Sequence, residues 1–284
     1  MNRFDYLEPR TVEEACRLFF EFGNEATLLA GGTDLIPKMK QKLIRPRAVI
    51  NLKKIEGLDL VKADGVSGLS IGALTLIAEL AVHPLVLERF PILSVAARSI
   101  GSQQIRNLAT LGGNLCNAAP SADMAPGLLV LDASVRIVGP SGNRGLPLED
   151  FFVGPGKVNL ARGEILTEVR IPLPPPHTKQ IYLKHSIRRA MDIAVVGVAL
   201  ALTFDDRTRT CSKARVAFGA VAPTPVRAKR TEKILAGKRL EEMLLASVGQ
   251  VAVQEVVPIS DVRGSADYRS EMVQKLTEEA IKRL

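Results

Sequence analysis

The chain has 284 residues, 46% hydrophobic and 24% charged, which excludes a disordered chain and supplies material for two or three lobes around substantial cores. Its net charge of +8 comes from scattered basic residues; with three Tyr, no Trp and no recognition-helix or zinc pattern, nucleic acid is not an expected partner. The longest apolar run, residues 193–204, falls short of the ~20 needed to cross a bilayer, and the charged start lacks a signal peptide's apolar core, so a cytoplasmic protein without a membrane role is expected.

In chain order, Thr11-Val-Glu-Glu14 is a capping box followed by Ala15, Leu18, Phe19 and Phe22 at helical spacing, and Gly23 stops that helix. Residues 26–30 predict a short strand that runs into Gly31-Gly32, then Thr33 and Asp34. A glycine pair at a strand end lets backbone N–H groups point into one concavity and lets a ligand approach without meeting a Cβ, which suits an anion. Residues 35–42 predict a helix with Pro37 in its first turn, and 48–52 a second strand, giving a βαβ-like lobe over residues 1–55.

Residues 69–73 predict a strand, with helices from near Thr75 and over 92–100; a polar run with Gln103, Gln104 and Arg106 follows. Thr110-Leu-Gly-Gly-Asn114 then repeats the glycine pair, read as a second tight turn. One such nest holds one phosphate, and two hold a diphosphate. Neither segment has the Gly-x-Gly-x-x-Gly or P-loop spacing, so the site is expected to be built from separate loops. Residues 123–132 predict a helix with Asp123 in its first turn, where a carboxylate serves as a cap, meets the dipole or binds a ligand hydroxyl.

Residues 134–138 and 163–171 predict strands around a loose hairpin at 139–145, and Leu173-Pro-Pro-Pro176 marks a domain boundary, separating 56–175 from 176–284. Beyond it, 180–184, 193–204 and 214–221 predict strands, and 225–236, 241–255 and 265–284 helices. Tyr268, Met272, Leu276 and Ala280 recur every four residues and are expected to pack on the sheet, giving an α+β fold overall. Cys16, Cys116 and Cys211 lack cluster, zinc or disulfide spacing, and His83, His177 and His185 form no metal site. No catalytic constellation emerges, so no catalytic or metal-ligating residue is assigned and any chemistry belongs to a bound cofactor.

These residues closely resemble the FAD-binding (medium) subunit of the molybdenum hydroxylase family, which includes xanthine dehydrogenases and aerobic carbon monoxide dehydrogenases. The resemblance rests on Ala30-Gly-Gly-Thr-Asp-Leu35, Ser70-Ile-Gly-Ala-Leu-Thr75, Gln104-Ile-Arg-Asn107, Thr110-Leu-Gly-Gly-Asn-Leu-Cys-Asn-Ala118, Asp150-Phe-Phe-Val-Gly-Pro-Gly156, Gly219-Ala-Val-Ala-Pro-Thr-Pro225 and Pro258-Ile-Ser-Asp-Val-Arg-Gly-Ser-Ala-Asp-Tyr-Arg269. It implies a two-lobed FAD-binding domain of the PCMH type, followed by a C-terminal sheet-plus-helices domain. It also implies FAD contacts at Leu28, Leu29, Ala30, Gly31, Gly32, Thr33, Asp34 and Leu35, at Thr110, Leu111, Gly112, Gly113 and Asn114, and at Ile100, Asp123, Leu166 and Lys184.

By the same resemblance, a large subunit carries molybdopterin and a small subunit carries [2Fe-2S] clusters, in a heterotrimer that can dimerise. This chain's FAD would pass electrons to NAD+, a quinone or oxygen. Some relatives have His after the Gly-Gly pair where this chain has Thr33, so the FAD is expected to be noncovalent. The alternative is a free-standing flavin-dependent oxidoreductase of the same fold.

Overall fold

In a computed structural model, residues 3–64, 68–188, 190–208 and 210–284 are described. The first lobe runs β1 (Asp5–Leu7), α1 (Val12–Phe22), β2 (Ala26–Leu29), α2 (Leu35–Lys40) and β3 (Ala48–Asn51). All pairings are parallel, in the order β1-β3-β2, so β1 is a strand beyond the two read from the sequence. The Thr11 hydroxyl accepts from the Glu14 N–H at 3.1 Å, the capping bond that starts α1, and Ala15 and Cys16 turn its buried face to Ile50 and Leu52.

The second lobe continues with β4 (Val61–Asp64), β5 (Gly68–Gly72), α3 (Ile77–Leu80), α4 (Pro84–Arg89), α5 (Pro91–Arg98), α6 (Gln103–Arg106), α7 (Leu111–Asn117), α8 (Met124–Val130), β6 (Ser134–Gly139), β7 (Gly142–Pro147), β8 (Phe152–Gly154), β9 (Lys157–Val158) and β10 (Ile165–Pro172). Its antiparallel sheet has the order β4-β5-β10-β6-β7. Helices α3 to α8, which follow β5 and precede β6 in the chain, contribute to a core that includes Phe90, Leu93, Leu115 and Leu128. The single helix expected near Thr75 is two, because His83 precedes Pro84 and takes an extended ψ of 128°. Pro84 and Pro91 then each open a new helix.

The C-terminal part has β11 (Thr178–His185), β12 (Val196–Phe204), β13 (Cys211–Gly219) and β14 (Val226–Arg227), then α9 (Lys229–Leu235), α10 (Glu242–Val253) and α11 (Ala266–Lys282). The four strands form one antiparallel sheet in chain order, and the three helices bury Val198, Leu200, Phe218 and Val273 against one face. Strand β12 starts at Val196 because Asp192 accepts from the Ile193 N–H and holds 192–193 in a loop. Val226 pairs with Phe218, so the helix expected from Pro225 starts at Lys229. On α11 the buried face is Arg269, Val273, Thr277, Ala280 and Ile281; Met272 and Leu276 pack at its margin, and Tyr268 points outward to His185, 2.8 Å away. Among the described residues no helix is long and apolar enough to cross a membrane.

Candidate functional site

Strand β2 ends at Leu29, and the chain turns through Ala30 to Asp34 before α2 begins. Gly32 sits at φ +74°, a conformation a side chain rarely adopts. At Gly31 the constraint is different: a Cβ would run into the carbonyl oxygen of Leu108, so the first glycine pair lies directly against the chain that leads to the second. Among the described residues, none accepts a hydrogen bond from the N–H of Gly31, Gly32, Thr33, Asp34 or Leu35. Consecutive unpaired donors of this kind need water or a ligand to satisfy them.

The second glycine pair is not the turn expected. Gly112 and Gly113 lie in the first turn of α7, which Thr110 caps by accepting the Gly113 N–H at 3.1 Å. Leu111 and Gly112 donate to the carbonyls of Thr75 and Ala73 at 3.0 and 2.7 Å, and Asn114 donates to that of Thr110 at 3.0 Å. All four N–H groups are therefore spent inside the protein, and this segment is no anion nest. Its glycines serve packing: a Cβ at Gly112 would stand 2.7 Å from that of Ala73, whereas one at Gly113 would meet only the Thr110 hydroxyl, at 2.8 Å, and more distantly Ala30. The anion-binding capacity of the pair of motifs belongs to the first.

Both segments face one cleft of about 750 Å³, within the ~300–1,000 Å³ usual for small-molecule sites. Of the residues singled out in the sequence, Leu28, Ala30, Gly31, Gly32, Thr33, Asp34, Leu35, Ile100, Thr110, Gly112, Gly113, Asn114 and Leu166 line it. Leu29 and Leu111 are buried and not in the lining. The side-chain oxygen of Asn114 is buried without a hydrogen-bond partner, an acceptor left for a ligand. Cys116 also lines the cleft, and burial pushes its thiol up to about 12, so it is protonated at neutral pH. Cys16 and Cys211 are likewise pushed up to about 11, chiefly by burial.

Asp123 and Lys184 stand outside the lining and bind each other. Lys184 Nζ donates to Asp123 Oδ2 at 2.9 Å, to the Ser99 carbonyl at 2.9 Å and to the Asp192 carbonyl at 2.8 Å, which uses all the donors of an ammonium. The Tyr182 hydroxyl donates to the other Asp123 oxygen at 2.7 Å. Burial raises the Asp123 carboxyl above its ordinary range against the opposing pull of Lys184 and Tyr182, and burial beside Asp123 raises the Tyr182 phenol. Ser99 precedes the cleft-lining Ile100, so this cluster braces the cleft wall from behind.

Two polar residues that the sequence reading passed over also line the cleft: Lys38 donates to Asn117 Oδ1 at 2.7 Å, joining α2 to α7. The helical register held the signal, since Lys38 lies one turn beyond Leu35 and Asn117 one turn beyond Gly113. Arg162 completes the wall, its guanidinium donating to the Phe20 carbonyl at 2.9 Å and stacked on the Phe20 ring.

Residues 2–174 match the model of the FAD binding domain in molybdopterin dehydrogenase, and residues 181–284 that of the CO dehydrogenase flavoprotein C-terminal domain. The chain is 36% identical to a putative xanthine dehydrogenase FAD-binding subunit of Escherichia coli (strain K12), covering 97% of this chain and 94% of that one. It is 34% identical to the glyceraldehyde dehydrogenase medium chain of Sulfolobus acidocaldarius, over 98% and 97% of the two. A solved structure of carbon monoxide dehydrogenase from Hydrogenophaga pseudoflava superposes with a TM-score of 0.95 at 32% identity, covering 99% of this chain and 96% of the other. A cleft with unpaired donors at its glycine turn, matched along nearly the whole chain, makes this an FAD-binding oxidoreductase component: the chain belongs to the molybdenum hydroxylase family, as an FAD-binding medium subunit.

Proposed function

We propose that the chain is the electron-transfer subunit of a molybdenum-containing hydroxylase, joining the [2Fe-2S] clusters of a small partner subunit to an acceptor such as NAD+, a quinone or oxygen. In this reading a large partner subunit holds the molybdopterin, and the assembly is cytoplasmic. Residues 1–55 and 56–175 are the two lobes that enclose the cofactor, and 176–284 closes the cleft from behind. Bound FAD supplies a centre that accepts electrons singly and releases them in pairs.

The single observation that carries this is the run of unpaired N–H groups from Gly31 to Leu35 opening onto a cleft that Thr110 to Asn114 also lines. Those donors suit the diphosphate of FAD, and Gly31 and Gly32 allow the turn that presents them, since a Cβ at Gly31 would strike the Leu108 carbonyl and Gly32 sits at φ +74°. The unpartnered Asn114 oxygen accepts from a hydroxyl or ring N–H of the cofactor. Leu28, Ala30, Ile100 and Leu166 supply the apolar walls that exclude water. Leu29 and Leu111 back these walls, while Asp123 and Lys184 act at one remove, by fixing Ser99 and with it Ile100. Thr33 offers no nitrogen for a covalent flavin bond, so the cofactor is held noncovalently.

The test is the chromophore of the purified chain. A yellow protein that releases FAD, with no residual bound flavin, on acid denaturation is expected. A colourless protein that takes up no FAD, or one whose flavin stays attached after denaturation, contradicts the proposal.

A further inference from the structure

Cleft charge and cofactor charge do not match unless one side chain is recruited. Among the described residues lining the cleft, Lys38 and Arg162 are the cations and Asp34 the anion. Arg162 is committed to the carbonyls of Phe20 and Glu21 and to the Phe20 ring. Lys38 is different: it is exposed, and among the described residues no carboxylate pairs with it and its ammonium makes one bond, to the neutral Asn117 amide. Two of its three donors remain.

We propose that Lys38 is a cofactor-binding residue, the cation that meets the phosphate charge of FAD. This rests on the FAD site proposed above. Five neutral N–H groups solvate a diphosphate but do not neutralise it, and an ammonium on the next turn of the same helix adds a charge-assisted bond, roughly twice as strong as a neutral one. The bond to Asn117 need not break. It holds the flexible lysine stem over the cleft, which reduces the rotamer freedom lost on binding.

The experiment titrates FAD into flavin-depleted full-length chain, following the quenching of flavin fluorescence, for wild type, Lys38→Met, Lys38→Gln, Lys38→Arg and Asn117→Ala. Circular dichroism checks that each variant is folded, and two neutral variants guard against one of them failing to fold. Both neutral variants are expected to bind FAD about 10-fold more weakly, with Lys38→Arg near wild type. The gap should shrink as salt rises from about 0.05 to 0.5 M, because the contribution is ionic. Asn117→Ala keeps the charge and is expected to stay within about 3-fold of wild type. Wild-type affinity in folded Lys38→Met overturns the proposal, and so does a loss in Asn117→Ala equal to that in Lys38→Met, which would assign the effect to the bridge. If wild type itself takes no FAD, the FAD reading fails and this inference falls with it.

Discussion

At the scale of the residue, Lys184 is engaged within the protein rather than in the cleft lining. Resemblance places it against the flavin, yet its three donors go to Ser99, Asp123 and Asp192. Its side chain is 11% exposed and that of Asp123 8%, so removing the lysine leaves a buried, uncompensated carboxylate. Lys184→Met is expected to cost about 3–5 kcal/mol in urea unfolding, and adding Asp123→Asn should recover much of it. The pH dependence has a definite sign. Burial raises the folded Asp123 carboxyl, and without Lys184 it rises further above the unfolded value, ~3.9. The folded variant then binds its proton more tightly than the unfolded chain, so its stability falls as pH rises from the unfolded value through the folded one. The deficit relative to wild type should be smaller at about pH 5 than at about pH 8; a gap that does not change with pH contradicts this account of the pair.

At the scale of the element, the two glycine pairs look alike in sequence and differ in structure. Gly31-Gly32 is a turn, as its strand-end position indicates. Gly112-Gly113 is helical because Leu111 and Leu115 are wholly buried and because the Thr110 cap and the Ala73 carbonyl fix the first turn. Tertiary packing overrides the low helix propensity of glycine, and a sequence without its partners does not display that. Gly112→Ala is expected to destabilise the chain by about 1–3 kcal/mol in chemical denaturation, since the added methyl stands 2.7 Å from the Ala73 Cβ; unchanged stability would show that the turn relaxes freely. The well-patterned elements α1, β2, β3, β10 and α11 were legible from capping and periodicity. The short strands β1, β4, β8 and β9 were not: unlike the mostly apolar four-residue runs of β2 and β3, they mix polar and apolar types or are only two or three residues long, and their pairing is set by distant partners. The cleft's main lining was legible from its glycines; Lys38 and Asn117 were not, since each is an ordinary polar residue until α2 and α7 are brought together.

At the scale of the whole molecule, the cleft is assembled from parts remote along the chain, and the C-terminal sheet fastens the assembly. The Ala220 N–H donates to the Pro120 carbonyl at 2.7 Å, and Arg227 to that of Leu129 at 3.1 Å. Asp132, at the end of α8, accepts from Arg215 at 2.9 Å and from Arg227 at 3.0 Å. Burial alone would raise its carboxyl, but these guanidinium groups outweigh it and hold the carboxyl below the ordinary range. None of these ties involves Gly113, where a Cβ would meet the Thr110 hydroxyl at 2.8 Å and then Ala30 at 3.9 Å, so a bulkier side chain there is expected to intrude on the cleft without touching them. The most direct measurement is therefore the FAD-to-protein ratio of purified Gly113→Val beside wild type, with circular dichroism on both. The result expected is stoichiometric FAD in wild type and none in a folded variant, whereas a folded Gly113→Val chain with its full complement of FAD would contradict the claim that the two glycine segments enclose the cofactor together.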